Sequence, residues 1–224
     1  MIRYFSLYFL MNVSHIHDNL QRYTDACAQA KQSCELVVVT KYQDTATTQL
    51  CIDWWIRHIA EARIDAAIEK KQHLQGDFTY HMIWHVQTNK AKKAVEHFDV
   101  IQSVDSMKLL KHIHKHAEHL QKKLTILLQI NATQEQQKYG FSPEEIHEAI
   151  SYARDHPYVS LAWCMCMWKA WDNNATREAF TLTTKICTNY TLPLISCGMT
   201  QDRPIAIAAW STMLRIWSWC FNKS

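Results

Sequence analysis

The sequence predicts an α/β protein: a single (β/α)8 TIM barrel with an extra N-terminal helix. Three observations predict it. Short apolar runs alternate with helical stretches, and such alternation makes a parallel sheet covered by helices. The strands number eight, which favours a closed barrel over a doubly wound sheet. The 224 residues, 48% hydrophobic, suit one such barrel, and no Pro/Gly/Ser linker, low-complexity tract or internal repeat divides them.

The elements follow in order. Residues 1–11 begin with an apolar stretch, Met1 to Leu10, too short to span a bilayer and followed by no small-residue cleavage site. They are expected to be a disordered extension or a misplaced start, with the domain running over 12–224. Asn12 or Ser14 can cap a first helix reaching about Lys31, with Ile16, Leu20 and Tyr23 at helical spacing. Leu36 to Thr40 is a β-branched run of the kind buried on both faces. Further strands fit Arg57–Glu61, Tyr80–Ile83, Val100–Ser103, Thr125–Ile130, Ser160–Cys164, Leu194–Ser196 and Met213–Ile216. Helices lie between them, such as Ser106–Leu120 and Pro143–Arg154. Pro143 after Ser142, followed by Glu144 and Glu145, signals a helix start at Pro143.

Composition excludes several functions. A net charge of +3 with scattered basic residues does not suggest nucleic acid. No apolar stretch suggests a membrane. The eight cysteines form no CxxC pair, which suits buried thiols in a reducing, cytoplasmic compartment. Cys164 and Cys166 share one strand face and are expected to be core. His112, His116 and His119 share a helix face, but Lys108, Lys111, Lys115 and Glu118 on that helix favour a solvated surface over a metal site. No exposed apolar stripe stands out, so a monomer is expected.

Barrel function sits at the C-terminal ends of strands. The polar groups there include Lys41, Glu61, His85, Ser103 with Asp105, Asn131, Ser196 with Thr200, and Arg215 with Ser218; Met165 occupies the sixth such position. A lysine ending an apolar strand is poorly solvated, which lowers its pKa and frees a neutral amine for a carbonyl. A lysine snorkelling to the surface is the bland alternative. Arg215 with Ser218, and the loop Ser196–Thr200, place two helix-start loops after strands seven and eight, where barrels hold phosphate.

Several segments resemble, in order and at consistent spacing, the pyridoxal phosphate homeostasis family, also called the YggS/PROSC family. Val37–Lys41 resembles its first strand ending in the cofactor lysine. Met82–Lys90 resembles F-I-G-H-L-Q-S-N-K, and Ile101–Ser106 resembles I-H-S-V-D-S. Leu128–Asn131 with Lys138–Glu145 resembles L-Q-V-N with K-x-G-L-S-P-E-E. Ser196–Thr200 resembles S-M-G-M-S, and Ser211–Ile216 resembles the start of S-T-M-V-R-I-G.

The resemblance implies a fold-type III barrel carrying pyridoxal 5′-phosphate (PLP) as a Schiff base on Lys41. It places Thr200 and the backbone around Trp217 and Ser218 at the phosphate and Arg215 at the pyridine nitrogen. Ser196, His85 and Met165 join the expected cofactor site. It further implies a non-catalytic role in PLP homeostasis, with apo PLP-dependent enzymes as acceptors. The alternative is a small PLP-dependent racemase or lyase. Against that, the chain ends just after the last barrel element, whereas two-base racemases use a second domain.

Two departures stand out. The family's G-E-N reads Ala60-Glu61-Ala62, so an asparagine beside the cofactor is replaced by Ala62. The chain has 3 glycines and 9 tryptophans. Trp55, Trp84, Trp163, Trp210 and Trp217 stand where the family has glycine; Trp54, Trp168, Trp171 and Trp219 fall where glycine would also be natural. The imbalance motivates a hypothesis: the gene belongs to a lineage that reads UGA as glycine. A diverged homologue with a partly filled phosphate cup is the alternative. The mass of the natively expressed protein distinguishes them.

Overall fold

The computed structural model describes residues 18, 19, 21, 22, 25, 34–132, 139–167 and 172–221. The expected N-terminal extension, and most of the helix expected before Lys31, lie outside them. So do Lys138, Trp168 and Trp171.

The elements run β1 (Glu35–Val39), α1 (Thr45–Asp53), β2 (His58–Glu61), α2 (Ile64–Lys71), β3 (Thr79–Met82), a 3-10 turn (Thr88–Lys90), α3 (Ala91–His97), β4 (Val100–Val104), α4 (Met107–His119), β5 (Leu124–Ile130), α5 (Ile146–Arg154), β6 (Val159–Cys166), α6 (Asn173–Asn189), β7 (Leu194–Ser196), α7 (Arg203–Ala208), β8 (Met213–Ile216) and α8 (Ser218–Phe221). The strands pair in sequence order and close into a barrel. All pairs are parallel, including the closing pair β1–β8, which sets Val37 opposite Arg215.

Strand residues alternate between two cores, because successive side chains of a strand point to opposite faces. Val37, Val39, Ala60, Val100, Leu127, Met165 and Met213 pack inside the barrel. Val38, Ile59, Ile101 and Ile126 face outward onto the helices. Both faces are dry, which is why β1 reads as an unbroken apolar run. Helix α4 supplies Leu109, Leu110, Ile113 and Ala117, all buried, from one face. Cys164 and Cys166 lie in this outer core, as their spacing suggested.

Helix starts follow side-chain chemistry. Asp44, Ser106 and Asp172 each accept a hydrogen bond from the backbone N–H three residues on, opening α1, α4 and α6. The helix expected from Pro143 starts three residues later, at Ile146. Ser142 and Glu145 form a reciprocal capping box: Ser142 N–H donates to the Glu145 carboxylate at 2.9 Å, and Glu145 N–H donates to Ser142 Oγ at 3.2 Å. The start signal was real, but Pro143 and Glu144 lie in the turn it closes.

Helix ends are unusual. Helices α1, α4, α6 and α7 finish in Schellman motifs, whose C′ residue takes a left-handed conformation normally given to glycine. The C′ residues are Trp55, Gln121, Thr191 and Trp210, with φ of 68°, 51°, 55° and 63°. At Trp55 the paired bonds run from its N–H to Ile52 and from Ile56 N–H to Cys51; at Trp210 they run to Ile207 and from Ser211 N–H to Ala206. Both indoles face solvent, Trp55 79% and Trp210 70% exposed, so neither is recompensed by burial. Among the described residues, no helix is long and apolar enough to cross a membrane.

Candidate functional site

Strand ends and the loops after them build a cavity of about 250 Å3 at the C-terminal mouth of the barrel. Lys41 stands two residues beyond β1 and lines it. Arg215, from the adjacent strand β8, lines it too, as do Thr200 after β7 and Trp217 and Ser218 after β8. Five of the eight expected cofactor residues therefore meet in one cavity.

Lys41 is placed by the β1 end: Thr40 N–H donates to Ala60 O at 2.9 Å, and Gln43 N–H donates back to Thr40 O at 2.9 Å. The Lys41 ammonium lies 5.1 Å from the ring centres of both Tyr42 and Trp217. These rings are 5.2 Å apart and flank the amine at the mouth.

Arg215 is 3% exposed. Its Nη1 donates to Ser196 O at 2.6 Å and Ser196 Oγ at 2.7 Å, and its Nη2 donates to Cys166 O at 3.1 Å. Burial lowers its pKa, opposed by Cys197, Asp202 and Cys166. The fork is thus held by three acceptors behind the cavity floor. Asp202 is the anionic side chain on the wall; one oxygen accepts from Met199 N–H at 2.7 Å, and the other is buried without a partner.

At the β7–β8 side, Ser218 Oγ donates to Thr200 Oγ1 at 3.3 Å. Two hydroxyls from different loops converge there, each able to turn and donate to an anion. Gly198 shapes this loop, with φ of 95° and its carbonyl accepting Arg215 N–H at 3.0 Å. A Cβ there would lie 2.7 Å from Leu214 Cδ2. Gly198→Ala is expected to cost about 2 kcal/mol through overpacking and left-handed strain. Urea unfolding checks this; an unchanged midpoint would show that the loop relaxes freely.

The other three expected residues stand elsewhere. Ser196 is fully buried behind Arg215 and reaches the cavity only through it. Met165 is fully buried in the barrel interior. His85 lies in a neighbouring groove, its Nδ1 2.6 Å from Asp105 Oδ2 and its ring stacked on Tyr139 at 3.9 Å. The alanine in the family's asparagine position, Ala62, does line the cavity.

The sequence reading missed the apolar wall of Ile83, Met167 and Met199. Each directly follows a strand or sits in a strand-end loop, so position alone could have found them. The His112, His116 and His119 face assembles no metal site: among the described residues no group of three such ligands is close enough.

A family model for the alanine racemase N-terminal domain matches residues 11–216. The pyridoxal phosphate homeostasis protein of Synechocystis sp. is 32% identical over 203 residues, covering 87% of this chain and 93% of that protein. The one of Pasteurella multocida is 27% identical over 216 residues, covering 92% and 93%. Among solved structures, PipY of Synechococcus elongatus with PLP bound superposes at a TM-score of 0.82 with 25% identity, covering 92% of this chain and 100% of that one. An alanine racemase of Clostridium difficile shares the fold at a TM-score of 0.77 with 14% identity; the match spans 95% of this chain and 58% of that enzyme.

Proposed function

We propose a pyridoxal 5′-phosphate carrier function for this chain, which belongs to the pyridoxal phosphate homeostasis family within the wider family of the alanine racemase N-terminal domain. The observation that carries the reading is one cavity, lined by an amine, a fixed guanidinium and a pair of convergent hydroxyls. Those groups fit the three ends of the cofactor. The Lys41 amine condenses with its aldehyde to form a Schiff base and release water. Thr200 and Ser218 donate to its phosphate. Arg215 faces its ring nitrogen.

When bound, the cofactor supplies an electron-withdrawing ring conjugated to the lysine nitrogen. Arg215 limits that pull. A guanidinium held by three acceptors is a permanent cation, and it disfavours a proton on the facing nitrogen. A weaker electron sink suits holding the cofactor over turning it over. Among the described residues lining the cavity, the titratable ones are Lys41, Arg215 and Asp202. A two-base proton transfer needs a second base at the substrate carbon. The relatives named above are similar in length to this chain and are named for homeostasis.

The acceptors of the cofactor are apo PLP-dependent enzymes, reached by reversal of Schiff base formation. The chain works as a monomer: among the described residues, the exposed large apolar side chains away from the mouth are Trp55, Leu120 and Trp210, at the ends of three different helices, and Tyr139, in the loop after β5, so they form no single patch. Free thiols at Cys51, Cys164, Cys166, Cys187, Cys197 and Cys220 suit the reducing cytoplasm.

The test is retention. Protein mixed with PLP and gel-filtered is expected to keep its visible absorbance, and borohydride is expected to fix the adduct at Lys41. Lys41→Ala, with unchanged circular dichroism, is expected to lose the adduct entirely. Retention of an adduct by Lys41→Ala would overturn the assignment. Sustained α-proton exchange of an amino acid by the loaded protein would overturn the non-catalytic reading.

A further inference from the structure

The barrel interior is mostly apolar, yet a polar column runs through it. At the lower, N-terminal face, Glu35 of β1 and His58 of β2 reach solvent, with side chains 44% and 24% exposed and Oε2 to Nε2 at 3.8 Å. His58 Nδ1 is 3.0 Å from His81 Nε2 on β3. His81 Nδ1 is 2.9 Å from Gln102 Nε2 on β4. Gln102 Oε1 accepts from Ser196 Oγ on β7 at 2.8 Å, and Ser196 Oγ accepts from Arg215. His81, Gln102 and Ser196 are fully buried.

The donors fall into one order. Gln102 gives one amide hydrogen to His81 Nδ1 and the other to Met213 Sδ at 3.4 Å, which fixes its oxygen toward Ser196. His81 Nδ1 then accepts, so its proton sits on Nε2 and is donated to His58 Nδ1. His58 carries its own proton on Nε2, toward Glu35. Every hydrogen bond from Arg215 to His58 therefore points the same way, and His58 Nε2 faces Glu35 at 3.8 Å.

We propose that His58, His81, Gln102 and Ser196 are positioning residues. They form a directional relay that aims Arg215 at the cofactor ring and makes that contact respond to proton uptake at the opposite face of the barrel. The relay rests on the reading of the cavity as the PLP site.

The switching logic is forced by valence. A proton added to His58 goes on Nδ1, which then donates to His81 Nε2. The His81 proton must move to Nδ1, where it faces the Gln102 amide hydrogens. Gln102 turns over, its NH2 meets Ser196 Oγ, and the Ser196 hydroxyl loses its acceptor. The anchor of Arg215 changes without any change at the cavity itself.

The titratable groups facing His58 are Glu35 from β1 and His81 from β3. Burial lowers the His58 pKa, opposed by Glu35. Burial holds His81 well below the ordinary imidazole value, reinforced by His58. Both folded-state values lie below the unfolded ones, so the ordered column is intact at neutral pH and is lost as pH falls through the His58 transition.

The experiment records the absorbance of the loaded protein against pH, beside 15N-NMR of its histidine ring nitrogens. The ratio of the two bands of the lysine-bound cofactor is expected to shift on acidification, in step with His58 protonation. His58→Gln accepts and donates but does not titrate; it is expected to keep the neutral-pH spectrum and lose the shift. His58→Phe is expected to lose the shift while retaining the cofactor. Gln102→Leu should leave His58 titrating by NMR with the spectrum fixed. His73→Asn, at an exposed histidine, should behave as the parent. A parent spectrum that stays constant while His58 protonates, or a shift that survives His58→Phe, would overturn the relay. If parent and Lys41→Ala both fail to take up PLP, the cofactor reading falls, and NMR of the unloaded chain still decides: the His81 proton moving to Nδ1 supports the relay, and a fixed tautomer refutes it.

Discussion

Lys70→Met is expected to destabilise the fold by about 3–5 kcal/mol, the range found when one partner of a buried ion pair is removed. Lys70 on α2 and Glu61 at the end of β2 have side chains only 10% and 2% exposed. Lys70 Nζ donates to Glu61 Oε1 at 2.5 Å and to the carbonyl of Thr40 at 2.8 Å. Thr40 Oγ1 donates to the same carboxylate oxygen at 2.8 Å. Three groups thus close on one another, and Thr40 is the residue before Lys41. Removing Lys70 strands a carboxylate in the core with one hydroxyl for company. The lost carbonyl contact also frees the backbone that aims Lys41. Two measurements separate these effects: urea unfolding reads the stability loss, and cofactor retention reads the aim of Lys41. The double change Glu61→Leu with Lys70→Met should recover most of the stability, because no charge is left buried. It should not recover full retention, since Thr40 still lacks its contacts with Lys70 and Glu61. A single change costing under about 1 kcal/mol, the ordinary scale of a solvated surface pair, would sink the argument.

The barrel was legible because its strands obey a simple rule. A run such as Val37–Val39 is apolar on both faces, and a parallel barrel is the arrangement that dries both faces. Lys41, Thr200, Arg215 and Ser218 were legible for a related reason. They are polar groups at strand ends, and the loops after β7 and β8 meet at one place. His85 was read onto the cofactor from its motif, but the structure sets it in the next groove against Asp105 and Tyr139. Order along the chain does not say toward which side of a strand end a ring turns. The interior column was illegible for a deeper reason. His81 and Gln102 each interrupt an apolar strand, and such a residue alone looks like a solvent-facing alternation. Only closure of the barrel turns those positions inward, toward one another across strands distant in sequence.

Trp55→Gly with Trp210→Gly is expected to stabilise the protein by about 1 kcal/mol, most of it at Trp210. A side chain in the left-handed region costs about 1–2 kcal/mol relative to the right-handed one, and glycine escapes that cost. Glycine gives back about 0.5–1 kcal/mol through the greater freedom of the unfolded chain. Trp55 also loses a contact with the Arg57 guanidinium, 5.0 Å from its ring, which at an exposed site is worth about 0.5 kcal/mol. Little burial opposes the gain, because both indoles face solvent. For a chain of this size the pair should raise Tm by about 2–4 °C. Trp54 is the internal control: it is the C-cap residue of α1, with φ of −89°, and glycine there should not stabilise. Trp217→Gly tests the mouth of the cavity, where an indole beside Lys41 takes up room next to the hydroxyl pair. Glycine there should tighten cofactor retention. Stability alone does not distinguish a strained native protein from a gene whose UGA codons specify glycine, since both predict a gain at Trp55 and Trp210. Mass does distinguish them. Protein isolated from its own host is expected to be lighter than the printed sequence by a whole number of tryptophan-to-glycine differences, with Trp55 and Trp210 among the sites. A native mass that includes all nine tryptophans would leave the left-handed indoles as real strain and end the decoding hypothesis.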